Sequence, residues 1–197
     1  ILVTGGAGFI GGHLVGRFQD GNTNRILDTA AETESSSQTT TISGDIRNEA
    51  TLNQVAADTD IIFHEAALVS VTESITDPRE SHTINATGTL NVLETARTHD
   101  ARVVFASSAA IYGQPQYTPI DEFHPKEPTS PYGLEKLSGD HYMRLYAEQY
   151  GLDTVALRYF NVYGPGQVGE YAGVITVFIE QALNDEPITV NGDGSQT

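Results

Sequence analysis

Short runs rich in β-branched residues alternate along this chain with stretches whose apolar positions recur every three or four residues. The first kind falls at residues 1–4, 25–28, 40–43, 61–64, 103–107 and 154–159. The second lies near residues 9–20, 49–57, 79–99 and 132–150. Apolar runs of that length read as strands and a period of 3.6 as helix. Their alternation predicts βαβ units, hence an α/β fold with helices on both faces of a parallel sheet. Six such strands predict a doubly wound, Rossmann-type sheet with ligands at the carboxyl ends of its strands.

Polar residues 29–39 read as a surface loop, and residues 114–129, with four prolines, as a long loop before the last long helix. Beyond Asn161 the chain turns glycine-rich, then predicts an apolar helix at 174–183 and a short strand at 188–190. The expected division is a nucleotide-binding domain over 1–161 and the start of a substrate-facing lobe over 162–197. Both termini read as cuts, so the chain is expected to be a fragment without activity of its own.

Composition narrows the function. The formal net charge is −16, from 26 Asp and Glu against 10 Lys and Arg, and only Lys126 and Lys136 are lysines. That balance argues against nucleic acid, whose phosphates need clustered cations. It fits a surface adapted to high salt. With no cysteine there is no disulfide framework and no thiolate metal site, and a metal role for His64 is not expected. No apolar run is long enough to span a bilayer; a cytoplasmic location is expected.

Ile1–Gly11 is a strand entering a glycine-rich turn that opens a helix. Gly6, Gly8 and Gly11 satisfy Gly-x-Gly-x-x-Gly, and Gly5, Gly8 and Gly11 space equally. Glycine lets a pyrophosphate approach bare backbone at a helix N-terminus. Asp28 ends the next strand, where a carboxylate hydrogen-bonds ribose hydroxyls and repels a 2′-phosphate; no arginine follows in 29–34, so NAD is expected over NADP. Asp45, in Gly-Asp-Ile-Arg after the third strand, is either a plain turn residue or a carboxylate reaching the adenine. His64 is either a satisfied structural histidine or part of the cofactor wall with Ala66 and Ala67.

Tyr132 and Lys136 stand four apart, on one face of the helix that begins after Ser130-Pro131. A cation beside a phenol is expected to lower its pKa. Such a phenol takes a proton from an alcohol while a hydride leaves the same carbon. Ser108 lies upstream in Phe-Ala-Ser-Ser-Ala-Ala-Ile-Tyr-Gly.

Together with His-x-Ala-Ala, Asn-x-x-Gly-Thr-Leu-Asn and Arg-Tyr-Phe-Asn-Val-Tyr-Gly-Pro, these motifs resemble an extended short-chain dehydrogenase/reductase. The closer resemblance is to the NAD-dependent epimerase/dehydratase family, of the nucleotide-sugar 4-epimerase type, and it covers the whole chain. It implies NAD contacts from Gly5, Gly8, Phe9, Ile10, Gly11, Asp28, Asp45, Ile46, His64, Ala66, Ala67, Asn85, Ser107, Tyr132, Lys136 and Phe160. It implies catalysis by Ser108, Tyr132 and Lys136, and UDP-sugar contacts from Ser70, Ser108, Tyr132, Asn161, Gly173, Val174 and Ile175. It also implies a homodimer through a four-helix interface built near residues 79–99 and 132–150. Dehydratases of the family carry carboxylates just after the residue matching Ser108, to move the protons of elimination. Here Ala109 and Ala110 follow, and a methyl group moves no proton. The expectation is a 4-epimerase acting on UDP-glucose and UDP-galactose. Uronate or N-acetylhexosamine epimerases, other oxidoreductases of the fold, and a non-catalytic NAD-binding protein are the alternatives.

Overall fold

A computed structural model describes residues 1–167, 174–190 and 193–194. The chain divides into two compact units, Ile1–Tyr159 and Phe160–Thr197.

The first unit is built on one sheet. Its strands are β1 (Leu2–Thr4), β2 (Asn24–Asp28), β3 (Glu34–Ser35), β4 (Thr39–Ser43), β5 (Ile61–His64), β6 (Arg102–Ser108) and β7 (Thr154–Tyr159). Their spatial order is β3-β4-β2-β1-β5-β6-β7, and every pairing is parallel except β3 with β4. Without the short β3 edge this is the doubly wound order, with its reversal at β1 and β5. The six strands expected from the sequence are present; β3 is an addition within the expected loop at 29–39.

Side chains of neighbouring residues leave a strand on opposite faces, and the core follows that rule. Leu2, Leu27, Ile62, Val103 and Phe105 join one buried cluster with residues of α2 (Glu49–Val55), α5 (Gly88–His99) and α6 (Pro131–Tyr150). Val3 and Ile26 join a second cluster with Val15 of α1 (Phe9–Arg17) and the half-buried Phe63. Burial on both faces is what keeps these strands parallel.

The helix expected over 79–99 is more complex. It starts as α4 (Pro78–His82), passes through a π-helical turn at Thr83–Thr87, and continues as α5. A further helix, α3 (Val71–Thr76), precedes it, capped by Ser70, whose side chain accepts from the Glu73 N–H. Ser74 of α3 is buried and accepts from the Tyr132 N–H at 3.2 Å, which ties α3 to the start of α6. Helix α6 packs tightly on β6 because residue 139 is glycine: a Cβ there would sit 2.6 Å from the Phe105 ring.

In the second unit, α7 (Val174–Leu183) forms as expected. Residues 188–190 form no strand: Ile188 and Val190 are exposed, no strand among the described residues pairs with them, and the Thr189 N–H contacts the Gln181 side chain instead.

Candidate active site

The carboxyl ends of β1, β2, β4, β5 and β6 bring most of the singled-out residues to one edge of the sheet. Gly5 leaves β1 with φ +71°, and a Cβ there would lie 2.6 Å from the Ala66 nitrogen, so the turn can pass Ala66 only as bare backbone. Gly8 is the N-cap of α1 and gives no side-chain cap, so Phe9, Ile10 and Gly11 open a helix whose first turn is uncapped by any side chain. Asp28 closes the arrangement: its Oδ2 accepts from the Ala7 N–H at 3.0 Å and its Oδ1 from the Ala30 N–H at 2.9 Å. A bare turn, an uncapped helix N-terminus and a carboxylate beside them fit a dinucleotide's phosphates and ribose.

Asp45 is held by Arg47, whose Nη2 reaches Oδ2 at 2.7 Å and keeps the carboxyl below its usual range. Arg47 also reaches Glu80 of α4 at 2.9 Å and Thr83 of the π turn at 3.2 Å. Ile46 is buried beneath, and a Cβ on Gly88 would collide with it at 2.5 Å.

His64 is fully buried, its Nδ1 2.8 Å from Thr4 Oγ1 and its Nε2 3.0 Å from Thr89 Oγ1. Burial, and next the Lys136 charge, bring its pKa down to about 3. Of the two roles open to it from sequence, the structural one fits: both ring nitrogens are engaged inside the core, so the imidazole is not presented to a cofactor. Asn85 is likewise buried in the π turn; its Oδ1 accepts from the Leu68 N–H at 2.9 Å, and its Nδ2 donates to the Leu68 carbonyl at 3.0 Å and to Glu135 at 2.8 Å. That side chain secures the segment after Ala66 and Ala67. The Ser107 hydroxyl donates to Asp140 at 3.1 Å, and Asp140 is paired with Arg158 at 2.9 Å. Arg158 in turn bonds Tyr112 and the Glu122 carbonyl, which anchors the proline-rich loop.

Ser108 ends β6 and caps a 3-10 turn at Ala109–Tyr112 by accepting from the Ala110 N–H at 3.1 Å. Across from it, Ser130 caps α6 through the Gly133 N–H, with Pro131 in the first turn, and the helix then presents Tyr132 and Lys136. The Ser108 side chain is the polar neighbour that pulls against burial at the Tyr132 phenol. Lys136 is 4% exposed, donates from Nζ to the Ala106 carbonyl at 2.8 Å, and lies 5.8 Å from the Tyr132 ring centroid. Burial drives its pKa down to about 8, against the raising pull of Glu65 and then Glu135.

The expected lowering of Tyr132 by Lys136 is not what the structure gives. Burial raises the phenol above its ordinary value, and the opposing influence is the Ser108 side chain. The ammonium donates to the Ala106 carbonyl, and its charge is not among the influences that shift the phenol.

Glu65 is the x of His-x-Ala-Ala, a position to which the motif gives no role. It is half-buried between Lys136 and Tyr159, whose hydroxyl donates to it at 3.3 Å; burial raises its pKa, with Lys136 pulling the other way. Among the described residues no cluster of three His, Asp or Glu is placed to hold a metal, and no helix is long and apolar enough to cross a membrane. Phe160 and Asn161 open the second unit, and Val174 and Ile175 open α7, all with substantial exposure. Gly173 lies outside the described residues.

The family model for the NAD dependent epimerase/dehydratase family matches residues 1–197. A Methanocaldococcus jannaschii protein provisionally named as a UDP-glucose 4-epimerase is 42% identical over 206 residues, across 100% of this chain and 67% of its own length. The structure of UDP-N-acetylglucosamine 4-epimerase from Methanobrevibacter ruminantium M1, in complex with UDP-N-acetylmuramic acid, superposes with TM-score 0.91 at 38% identity, over 99% of this chain and 66% of that one. UDP-glucose 4-epimerase from Thermotoga maritima, with UDP-glucose, superposes with TM-score 0.89 at 34% identity, over 98% and 66%. The chain thus spans about two thirds of the length of these relatives.

Proposed function

This chain belongs to the NAD dependent epimerase/dehydratase family, and we propose that it serves an NAD-dependent nucleotide-sugar 4-epimerase interconverting UDP-glucose and UDP-galactose. The observation that carries the choice within the family is the turn after Ser108. Ala109 and Ala110 occupy it, so no carboxylate follows the residue that would hold the sugar hydroxyl. Glu65, the carboxylate that follows β5 and faces Lys136, is engaged by Tyr159. Elimination needs an added acid and base; epimerisation needs neither.

When bound, NAD supplies reversible two-electron oxidation of the sugar alcohol. Gly5, Gly8 and the start of α1 would hold its phosphates, Asp28 its ribose, and Ala66, Ala67 and Ile46 its walls. Ser108 would orient the C4 hydroxyl and Tyr132 accept its proton. Lys136, fixed by Ala106, would hold the nicotinamide ribose. The flat 4-keto sugar must present its opposite face before C4 is reduced again and Tyr132 returns the proton to O4; the change of face is what inverts C4. Substrate contacts from Ser70, Asn161, Gly173, Val174 and Ile175, and a cofactor contact from Phe160, belong to the same proposal.

An N-acetylhexosamine 4-epimerase is the second reading, favoured by the likeness to the Methanobrevibacter enzyme. A homodimer through α5 and α6 is part of the proposal, supported by the exposed Leu134, Leu145 and Tyr150 of α6. So are a cytoplasmic location and adaptation to high salt. The deciding assay incubates the full-length protein, without added cofactor, with UDP-glucose, UDP-galactose, their N-acetyl forms and UDP-glucuronate. NMR of the products should show C4 epimers. A 4-keto-6-deoxy sugar would overturn the argument from Ala109 and Ala110.

A further inference from the structure

Glu135 sits between Tyr132 and Lys136 on α6 and is only 5% exposed. A glutamate that deeply buried is uncommon without partners. Its Oε2 has two: the Ser81 hydroxyl of α4 donates at 2.6 Å and the Asn85 amide of the π turn at 2.8 Å. Asn85 grips Leu68 by both its N–H and its carbonyl. One carboxyl group therefore joins four elements: the helix carrying the Tyr/Lys pair, α4, the π turn and, through Asn85, the segment that continues Ala66 and Ala67. The π turn gives the arrangement a local reason, since one extra residue in the turn changes which residues of that helix face α6.

We propose that Glu135 is a positioning residue for the Tyr132–Lys136 pair, a buried clamp that fixes the Ala66–Leu68 wall against α6 and places a carboxyl group next to Lys136 in the chain. The proposal rests on the reading of Tyr132 and Lys136 as the proton-transfer pair. The groups around Lys136 are few. His64 and Glu65 face it from the end of β5, the Phe105 ring from β6 at 4.9 Å, and Tyr132 and Glu135 from its own helix; Tyr159 of β7 acts through Glu65. Asp140, one turn on, is committed to Arg158 and Ser107. His64 is buried with both nitrogens engaged, so the anions balancing the ammonium are Glu65 and Glu135.

The scarcity of lysine makes the test direct. Selective ¹⁵N-lysine labelling of the full-length protein gives side-chain signals among which those of Lys136 and Lys126, the two lysines of this chain, are assigned by their loss in Lys136→Arg and Lys126→Arg, and each is titrated without substrate or turnover. Glu135→Gln should lower the Lys136 midpoint by about one pH unit and leave Lys126 in place. Glu65→Gln should lower it too, but only Glu135→Gln should also speed exchange of the Leu68 amide, by about tenfold as the clamp loosens. Ser81→Ala, a milder change that removes one donor, should speed that exchange with the Lys136 midpoint kept. A folded Glu135→Gln protein with an unmoved Lys136 midpoint overturns the electrostatic half. Leu68 exchange unchanged in Ser81→Ala, or in Glu135→Gln, overturns the clamp. Because neither readout involves epimerisation, failure of the epimerase assay would leave these results interpretable, and their failure would leave the epimerase assay standing.

Discussion

Tyr132 and Lys136 do different work from that implied by their spacing alone. Four residues apart on a helix, they invite the reading of a cation that acidifies a phenol. In the folded chain, burial raises Tyr132 and lowers Lys136 to about 8. The consequence concerns pH. A group whose folded pKa is depressed to about 8 loses its proton as pH rises through that value. Turnover that needs the Lys136 ammonium should therefore be full near neutrality and fall above about pH 8, read as kcat of the full-length protein across the alkaline range. Arginine stays charged there, so Lys136→Arg should remove that alkaline limb even if its rate is low; a limb kept at the same pH would assign it to another group. Tyr132→Phe removes the proposed proton carrier but little volume. It should lower kcat by about 10²–10⁴-fold with the melting temperature nearly unchanged, and near-normal turnover would end the acid/base role. The Ser, Tyr and Lys were legible because their residue types are rare in such order. Glu65 and Glu135 were not: in a chain with 26 acidic residues a single glutamate carries no signal until the fold buries it. His64 shows the converse, a conspicuous residue whose partners, Thr4 and Thr89, are distant in sequence and ordinary in type.

At the level of elements, periodicity located the strands and long helices because both faces of the sheet are buried and each run had to be apolar. It did not reveal the π turn, because one added residue leaves the apolar spacing almost unchanged over a long helix. Nor did it reveal β3, which is two exposed polar residues held only by the antiparallel ladder to β4. It gave a strand at 188–190, where alternation exists but no strand forms among the described residues. Contact between α6 and β6 decides where Lys136 sits, and Gly139 permits it: a Cβ would lie 2.6 Å from Phe105, a core ring with no room to withdraw. Gly139→Ala should lower unfolding free energy by about 1–3 kcal/mol, measured by urea denaturation, and weaken NAD retention as α6 shifts. A variant as stable as the parent would mean that the helix and ring adapt without strain.

The whole molecule carries its charge unevenly between task and surplus. Of eight arginines, five are in ion pairs, Arg47, Arg97, Arg102, Arg144 and Arg158. Arg25 is turned to the backbone carbonyls of Val55 and Ala57, and Lys136 is buried in the site. The cations are largely committed to local structure, while a formal net charge of −16 remains. Mutual repulsion of those carboxylates opposes compaction. At about 0.1 M salt the screening length is about 10 Å, comparable to the spacing of surface charges, and at about 1 M it falls to about 3 Å. Most of the repulsion should then vanish, while half-buried pairs such as Arg158–Asp140 are screened less. The melting midpoint of the protein should rise steadily between about 0.1 and 2 M KCl. Sucrose, which strengthens burial without screening charge, separates the two causes: a rise matched by sucrose would point to general exclusion from the surface. A midpoint indifferent to KCl would show that the carboxylates are already far enough apart to need no screening, and the reading of the acidity as salt adaptation would fall with it.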